Sequence, residues 1–416
     1  MIIKEISKDI FDEFAKNHLL YNQYQTSNYA TIKQKQEYEI VYIGGYKNNI
    51  LVCASMILFK QIAPTIKYGY APRGFLIDYY DKNLMQEFTK ALKSYYLLKN
   101  IAFIKIDPEI IYSVVDPIKN TKKINSVSDK LISFMSSLGY QKLKSSLYFD
   151  SMMPVYNPII DLSEFRLTNL NESVITEIKK SDLFGLKFRK GTEKDIETLF
   201  SFVKDKKNRT QAYYSEYYNS YNKTNNIDLF VLEIDYSVYL KILQKNYEEE
   251  TLKNEIINKD FLLNSTDTNL FTKKMDSDKT LSDIKNEITE VTKVVRDNNY
   301  IPVAAALVTK FNKRVTININ GWNKNFAYLN SKLYLFYNII YHYKREKYDF
   351  IDMDGITADF TENNPYKSLN DFKLKFNPTI YEYIGEFDLV INPAYYQMLW
   401  TSGKLHKEFQ KERVSD

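Results

Sequence analysis

The sequence predicts a mixed α/β (α+β) protein: two related α/β units in tandem, with a helical insertion in the second. Three observations predict it. Apolar, strand-like runs alternate with amphipathic helical stretches. Two segments of the first half have counterparts in the second half, in the same order. The interval between the second pair is longer than that between the first, so extra chain lies inside the second copy only. A length of 416 residues suits two such units plus an insertion.

The first helix spans residues 7–14, starting Ser7-Lys8-Asp9-Ile10. Its counterpart spans 193–200, and both share Lys-Asp-Ile and end in Phe. Strands follow at 39–43 and 50–59. A helix near 83–99 leads into a strand at 101–106 and then Asp107; a helix near 331–347 leads into a strand at 348–353 and then Asp354. Strands at 301–309 and 316–320 complete the second unit. The candidate for the extra chain is 237–298, which is polar, charged and free of Gly and Pro. Leu240, Leu243 and Tyr247 form one apolar stripe, and Ile284, Ile288, Val291 and Val295 form another. The turn-like stretch 264–269 separates them. This predicts an antiparallel two-helix arm; the alternative is a pair of helices packed onto the second unit.

Composition excludes several classes. A single cysteine, Cys53, and 3 histidines leave no material for a disulfide framework or a Cys/His zinc site. Asp349, Asp352 and Asp354 lack the closing Glu of a calcium loop, so no metal is expected. The 11 glycines build no GxGxxG, no GxxxxGK[ST] and no GxSxG, which disfavours dinucleotide, P-loop and hydrolase-elbow chemistry, and no cofactor is expected. A net charge of +5 permits an anionic partner without demanding one. No apolar run reaches the ~18 residues a membrane span needs, and the N-terminus is charged, so a cytoplasmic protein is expected. Peripheral contact with the inner face of the membrane is compatible with this.

Four segments in order resemble the Fem family of peptidoglycan aminoacyltransferases. They are Tyr70-Ala71-Pro72-Arg73-Gly74-Phe75-Leu76-Ile77-Asp78, Phe103-Ile104-Lys105-Ile106-Asp107-Pro108, the stretch 330–355 closing Asp352-Met353-Asp354-Gly355-Ile356, and Phe372-Lys373-Leu374-Lys375-Phe376 followed by Glu382 to Asp388. The resemblance implies two acetyltransferase-like (GNAT) domains and a helical arm. The expected divisions are 1–155 for the first domain, 156–236 and 299–400 for the second, 237–298 for the arm and 401–416 for a tail. It implies an aminoacyl-tRNA donor and a peptidoglycan precursor as acceptor, either UDP-MurNAc-pentapeptide or lipid II. The alternatives are a non-catalytic Fem-like binding subunit and, less favoured, an acyl-CoA-dependent N-acyltransferase, whose Gly-rich pyrophosphate loop is missing.

Residue roles follow from the resemblance. Lys373 is the expected catalytic cation at the developing oxyanion, and Phe372 is placed to stack on the terminal adenine. Asp107 is expected as a second catalytic residue in the acceptor cleft, accepting a hydrogen bond from the attacking amine and able to act as a general base, although Asp before Pro108 also reads as an ordinary helix start. Lys33, Arg209 and Tyr213 match family positions that bind the acceptor, the two cations as partners of the precursor's diphosphate and the tyrosine through its hydroxyl and ring. Arg73 is expected either to bind substrate or to pair with Asp78. The arm's acidic residues balance its lysines, so the arm alone is not expected to grip tRNA.

Overall fold

The computed structural model describes residues 1–145, 147–205, 209–297 and 300–405. His406 and most of the expected tail lie outside the described residues.

In chain order the first unit contains β1 (Ile2–Glu5), α1 (Lys8–Lys16), α2 (Ser27–Gln34), β2 (Glu39–Lys47), β3 (Ile50–Ala63), β4 (Ile66–Ala71), α3 (Lys82–Tyr96) and β5 (Ile101–Ile106). Then come β6 (Ile111–Asp116), β7 (Thr121–Ile124), α4 (Ser126–Ser137), β8 (Tyr140–Lys142), β9 (Tyr156–Asp161) and α5 (Glu172–Ser181). The second unit contains β10 (Leu186–Lys190), α6 (Ile196–Val203), α7 (Gln211–Asn222) and β11 (Ile227–Asp235). The arm follows as α8 (Tyr236–Leu263) and α9 (Thr268–Asp297). The chain returns through β12 (Tyr300–Phe311), β13 (Arg314–Trp322), α10 (Ser331–Arg345), β14 (Phe350–Asp352), α11 (Lys367–Leu374), β15 (Thr379–Tyr383), β16 (Phe387–Val390) and α12 (Pro393–Thr401).

The duplication is visible in the sheets. One sheet runs β1-β2-β3-β4-β5-β16-β8 and the other β10-β11-β12-β13-β14-β9-β15-β6-β7. In each, the first four strands pair antiparallel, and then a parallel pair, β4 with β5 or β13 with β14, is joined through a helix. Two mixed sheets of this kind fit two GNAT-like domains. The matching helices start on matching caps. Ile10 N–H donates to Ser7 Oγ at 3.3 Å before α1, and Thr192 and Asp195 form a reciprocal capping box ahead of α6.

The sheets also exchange strands. The hairpin β6–β7, from within 1–155, forms the far edge of the second sheet, while β16, from near the chain's end, pairs with β5 and β8 in the first. The two units therefore interlock. One apolar core runs through both, joining Phe11, Met56 and Tyr68 to Leu199, Tyr217 and Leu307. Helix α2 packs on α7, where Asn28 Nδ2 donates to Thr224 Oγ1 at 2.7 Å.

The inserted helices replace what is a tight β2–β3 turn in the first unit. Leu243 and Val291 are buried in the second core and Ile284 and Ile288 pack against it, so the base of the arm is anchored. Further out, Leu252, Ile256, Leu262, Leu263, Phe271 and Met275 are exposed. Both expected arrangements therefore hold, each for a different part of the arm. Between them lies a polar layer: Asn254 Nδ2 donates to Ser277 Oγ at 3.1 Å and to Asp278 Oδ1 at 2.8 Å. Such a layer fixes helix register, because any slip would bury these groups without partners.

Candidate active site

A cleft of about 820 Å³ opens beside the shared core, lined by residues of both units. Lys33 enters it from α2, a helix capped by Thr26, whose Oγ1 accepts from Tyr29 N–H at 3.1 Å. The Lys33 ammonium is buried, donates to Gln36 Oε1 at 3.0 Å, and lies 5.5 Å from the Tyr29 ring centroid and 5.6 Å from that of Tyr38. Arg209, just ahead of α7, donates from Nη1 to the Tyr213 hydroxyl at 2.8 Å, and its guanidinium carbon lies 4.3 Å from that ring's centroid. The packing of α2 on α7 thus brings Lys33, Arg209 and Tyr213 to one cleft from distant stretches of chain.

The Phe372-Lys373 pair enters from α11. Lys373 is buried and donates to two backbone carbonyls, Asp354 O at 3.1 Å and Gly355 O at 2.7 Å. An ammonium carries three donors, so one remains for a ligand. Burial lowers the Lys373 pKa from its ordinary value; the charges of Asp354 and Asp352 oppose that shift. Gly355 is needed here because a Cβ at this position would collide with the Pro154 ring. Phe372 meets Phe336 edge-on at 5.0 Å and faces the cleft.

Sequence reasoning missed Lys332 and Trp322. The Lys332 ammonium lies 3.6 Å from the Phe372 ring centroid and 4.7 Å from that of Trp322. No local pattern marks these residues, since they come from different elements and meet only in the fold.

Arg73 and Asp107 are placed elsewhere. Arg73 is buried below the cleft, where its guanidinium donates to Pro154 O at 2.8 Å and pairs with Glu109 at 3.5 Å. The pairing with Asp78 expected as one alternative is not formed; the Asp78 carboxylate instead accepts from Tyr80 N–H at 2.9 Å. Asp107 caps no helix, because the chain runs from Pro108 into β6. Its carboxylate accepts from Tyr70 OH at 2.8 Å and Arg73 N–H at 2.6 Å. These tertiary donors occupy the oxygens that a helix start would have used. With Glu109, Asn157, Arg314, Asp352 and Asp354, Arg73 lines a small polar cavity of about 30 Å³, roomy enough to hold ordered water. Tyr24 and Asp354 line both this cavity and the cleft.

Burial pushes the Asp107 carboxyl up to about 7; Arg73 opposes the shift and Glu386 adds to it. The folded state therefore holds this proton more tightly than the unfolded chain. The associated stability is complete at low pH and is lost as pH rises through about 7. Asp107→Asn is expected to flatten this dependence. Its urea midpoint should change less between about pH 5 and about pH 8 than that of the parent; an equal change would exclude Asp107 as the source.

Comparison with known proteins identifies the family. The FemAB family model matches residues 6–403. Aminoacyltransferase FemA of Staphylococcus epidermidis is 22% identical over 416 residues, covering 97% of this chain and 98% of that protein. Aminoacyltransferase FemA of Staphylococcus aureus is 23% identical over 387 residues, covering 89% and 91%. The crystal structure of FemX superposes with a TM-score of 0.75 at 16% identity, covering 96% of this chain and all of that one, and so shares the fold. With the family match spanning both units and the arm, the chain belongs to the FemAB family and is an aminoacyltransferase.

Proposed function

We propose that this enzyme transfers an amino acid from an aminoacyl-tRNA to an amine on the stem peptide of a peptidoglycan precursor, as in cross-bridge synthesis. The observation that carries this reading is that Lys33, Arg209, Tyr213, Phe372 and Lys373, scattered along the chain, line one cleft. The ester of a charged tRNA is already activated, so alignment and charge stabilisation suffice. The amine attacks the ester carbonyl, the C–N bond forms, and the oxygen becomes an oxyanion. Lys373 answers that charge with its remaining donor. Collapse then breaks the C–O bond, and the proton shed by the attacking nitrogen passes to the departing ribose oxygen, which leaves as a hydroxyl.

Lys33 and Arg209 suit the diphosphate of the precursor, and Phe372 suits the face of the terminal adenine. Asp107 and Arg73 serve by positioning: they tie β4 and β5 together below the cleft. Among the described residues no helix is long and apolar enough to cross a membrane. A lipid-linked acceptor would be met at the inner membrane face, in the compartment that supplies charged tRNA.

The test supplies a mixture of radiolabelled charged tRNAs with either the UDP-linked precursor or lipid II, with and without RNase. Label in the muropeptide that RNase abolishes is the expected result. RNase-insensitive transfer, or robust transfer from acetyl-CoA, would overturn the reading. In the same assay Lys33→Met is expected to raise the acceptor KM by about tenfold or more at unchanged kcat, with the deficit largest at low salt. A change in kcat alone would remove Lys33 from acceptor binding.

A further inference from the structure

The outer half of α8 carries two seams on opposite faces. The inner one meets α9: Glu250 Oε1 accepts from Ser277 Oγ at 2.6 Å, Asn254 Nδ2 donates to Ser277 Oγ at 3.1 Å, and the Phe261 and Phe271 rings lie 6.0 Å apart. Positions 250, 254, 257 and 261 step by four, three and four residues, the spacing at which two helices wind around each other. A second set with the same steps stands two residues further on, at Leu252, Ile256, Lys259 and Leu263. An offset of two residues turns about 200° around a helix, so this set faces away from α9. All four side chains are exposed, Leu252 at 63%, Ile256 at 60% and Leu263 at 88%.

The charges beside this outer seam state what fits it. Lys253 and Asp260 stand seven residues apart on one flank, and Glu255 stands on the other; all three are exposed. A second α8 laid antiparallel about a midpoint between residues 257 and 258 sets Leu252 opposite Leu263 and Ile256 opposite Lys259. In that register Lys253 of one copy lies beside Asp260 of the other, on the same flank. The Lys259 stem packs in the seam and its ammonium reaches Glu255 of the other copy. A twofold axis repeats every one of these contacts. Parallel pairing instead sets Lys259 against itself and Glu255 beside Asp260, so like charges oppose it.

We propose that the outer face of α8 is a docking surface for a second copy of this chain, paired antiparallel through Leu252, Ile256, Lys259 and Leu263. The pairing sets the two bodies at opposite ends of a four-helix tip. Each cleft stays open, because among the described residues none of those lining it comes from the arm.

Sedimentation equilibrium of the full chain tests this. The parent is expected to move from one chain toward two between about 1 and 200 μM, the weak association that a short seam with lysine in two of its layers supports. Ile256→Lys sets like charges against Lys259 and is expected to weaken association about tenfold or more, with helix content and thermal midpoint unchanged because Ile256 is exposed. Asp260→Lys alone is expected to weaken it about fivefold, and Lys253→Asp combined with Asp260→Lys to recover it to within about twofold of the parent. A parent that remains a single chain at about 200 μM overturns the proposal. So does a dimer that Ile256→Lys leaves intact, or a double reversal that recovers nothing. Vesicles of phosphatidylcholine, with and without phosphatidylglycerol, are tested beside it. A single chain that binds them, and loses that binding in Ile256→Lys, gives the seam to lipid and overturns self-pairing.

Discussion

Lys373→Met is expected to lower kcat by about 100- to 1,000-fold, the usual cost of removing one donor from an oxyanion site. The size of the effect follows from how the side chain is held. Bonds to the carbonyls of Asp354 and Gly355 fix the ammonium before substrate arrives, so little reorganisation is left for the reaction. The site is buried, and in such surroundings a charge acts over a lower effective dielectric than in water. Methionine keeps the length of the stem and deletes only the charge and its donors. The check is kcat at saturating acceptor and charged tRNA, beside a thermal unfolding midpoint. A parental kcat in a folded variant would end the catalytic role of Lys373, whereas a raised KM alone would make it a binding group.

Lys105→Met is expected to destabilise the protein by about 3–5 kcal/mol, enough to threaten folding altogether. Lys105 lies in β5 at 1% exposure, directly opposite Asp388 of β16. Its ammonium is 2.8 Å from Asp388 Oδ1 and 3.8 Å from Glu386 Oε2. Asp388 also accepts from Tyr396 OH at 3.0 Å, and Glu386 accepts the Met152 N–H. Burial alone would lower the Lys105 pKa, but Asp388 and Glu386 outweigh it and the pKa is raised. Without the cation, two buried carboxylates lose their counter-charge, at the point where the last strand enters the first sheet. Urea denaturation checks this. A shift below about 1 kcal/mol would show that the cluster is not holding β16. The double variant Lys105→Met with Asp388→Asn is expected to recover part of the loss, since it removes one of the stranded charges.

Much of the architecture was legible in local pattern. The run Ile101–Ile106 is apolar except for Lys105 and became a fully buried strand; the counterparts around Lys8 and Lys194 became matching capped helices. The unequal spacing of the two copies located the arm at the β11–β12 connection. The exchange of β6–β7 and β16 was not legible. Alternation and apolarity show that a strand is buried, but they carry no label for its neighbour. At the site, Lys33, Arg209 and Tyr213 were recognisable only through the family resemblance, because a lone cation near a helix looks like surface. Asp107 misled for a related reason: Asp before Pro satisfies a helix-start rule locally, and only Tyr70 and the Arg73 backbone, far away in sequence, claimed the carboxylate first.

What the sequence determined by itself was therefore periodic and local: where strands and helices form, that the unit occurs twice, and where the second copy is interrupted. These depend on side-chain spacing and caps within a few residues of each other. Tertiary structure alone decided which sheet each strand joins, which charges are sealed into the core, and that Asp354 shares a cleft with Lys373, Lys332 and Phe372. Such choices depend on burial and on partners remote in the chain, where a charge is stable only if the fold supplies its opposite.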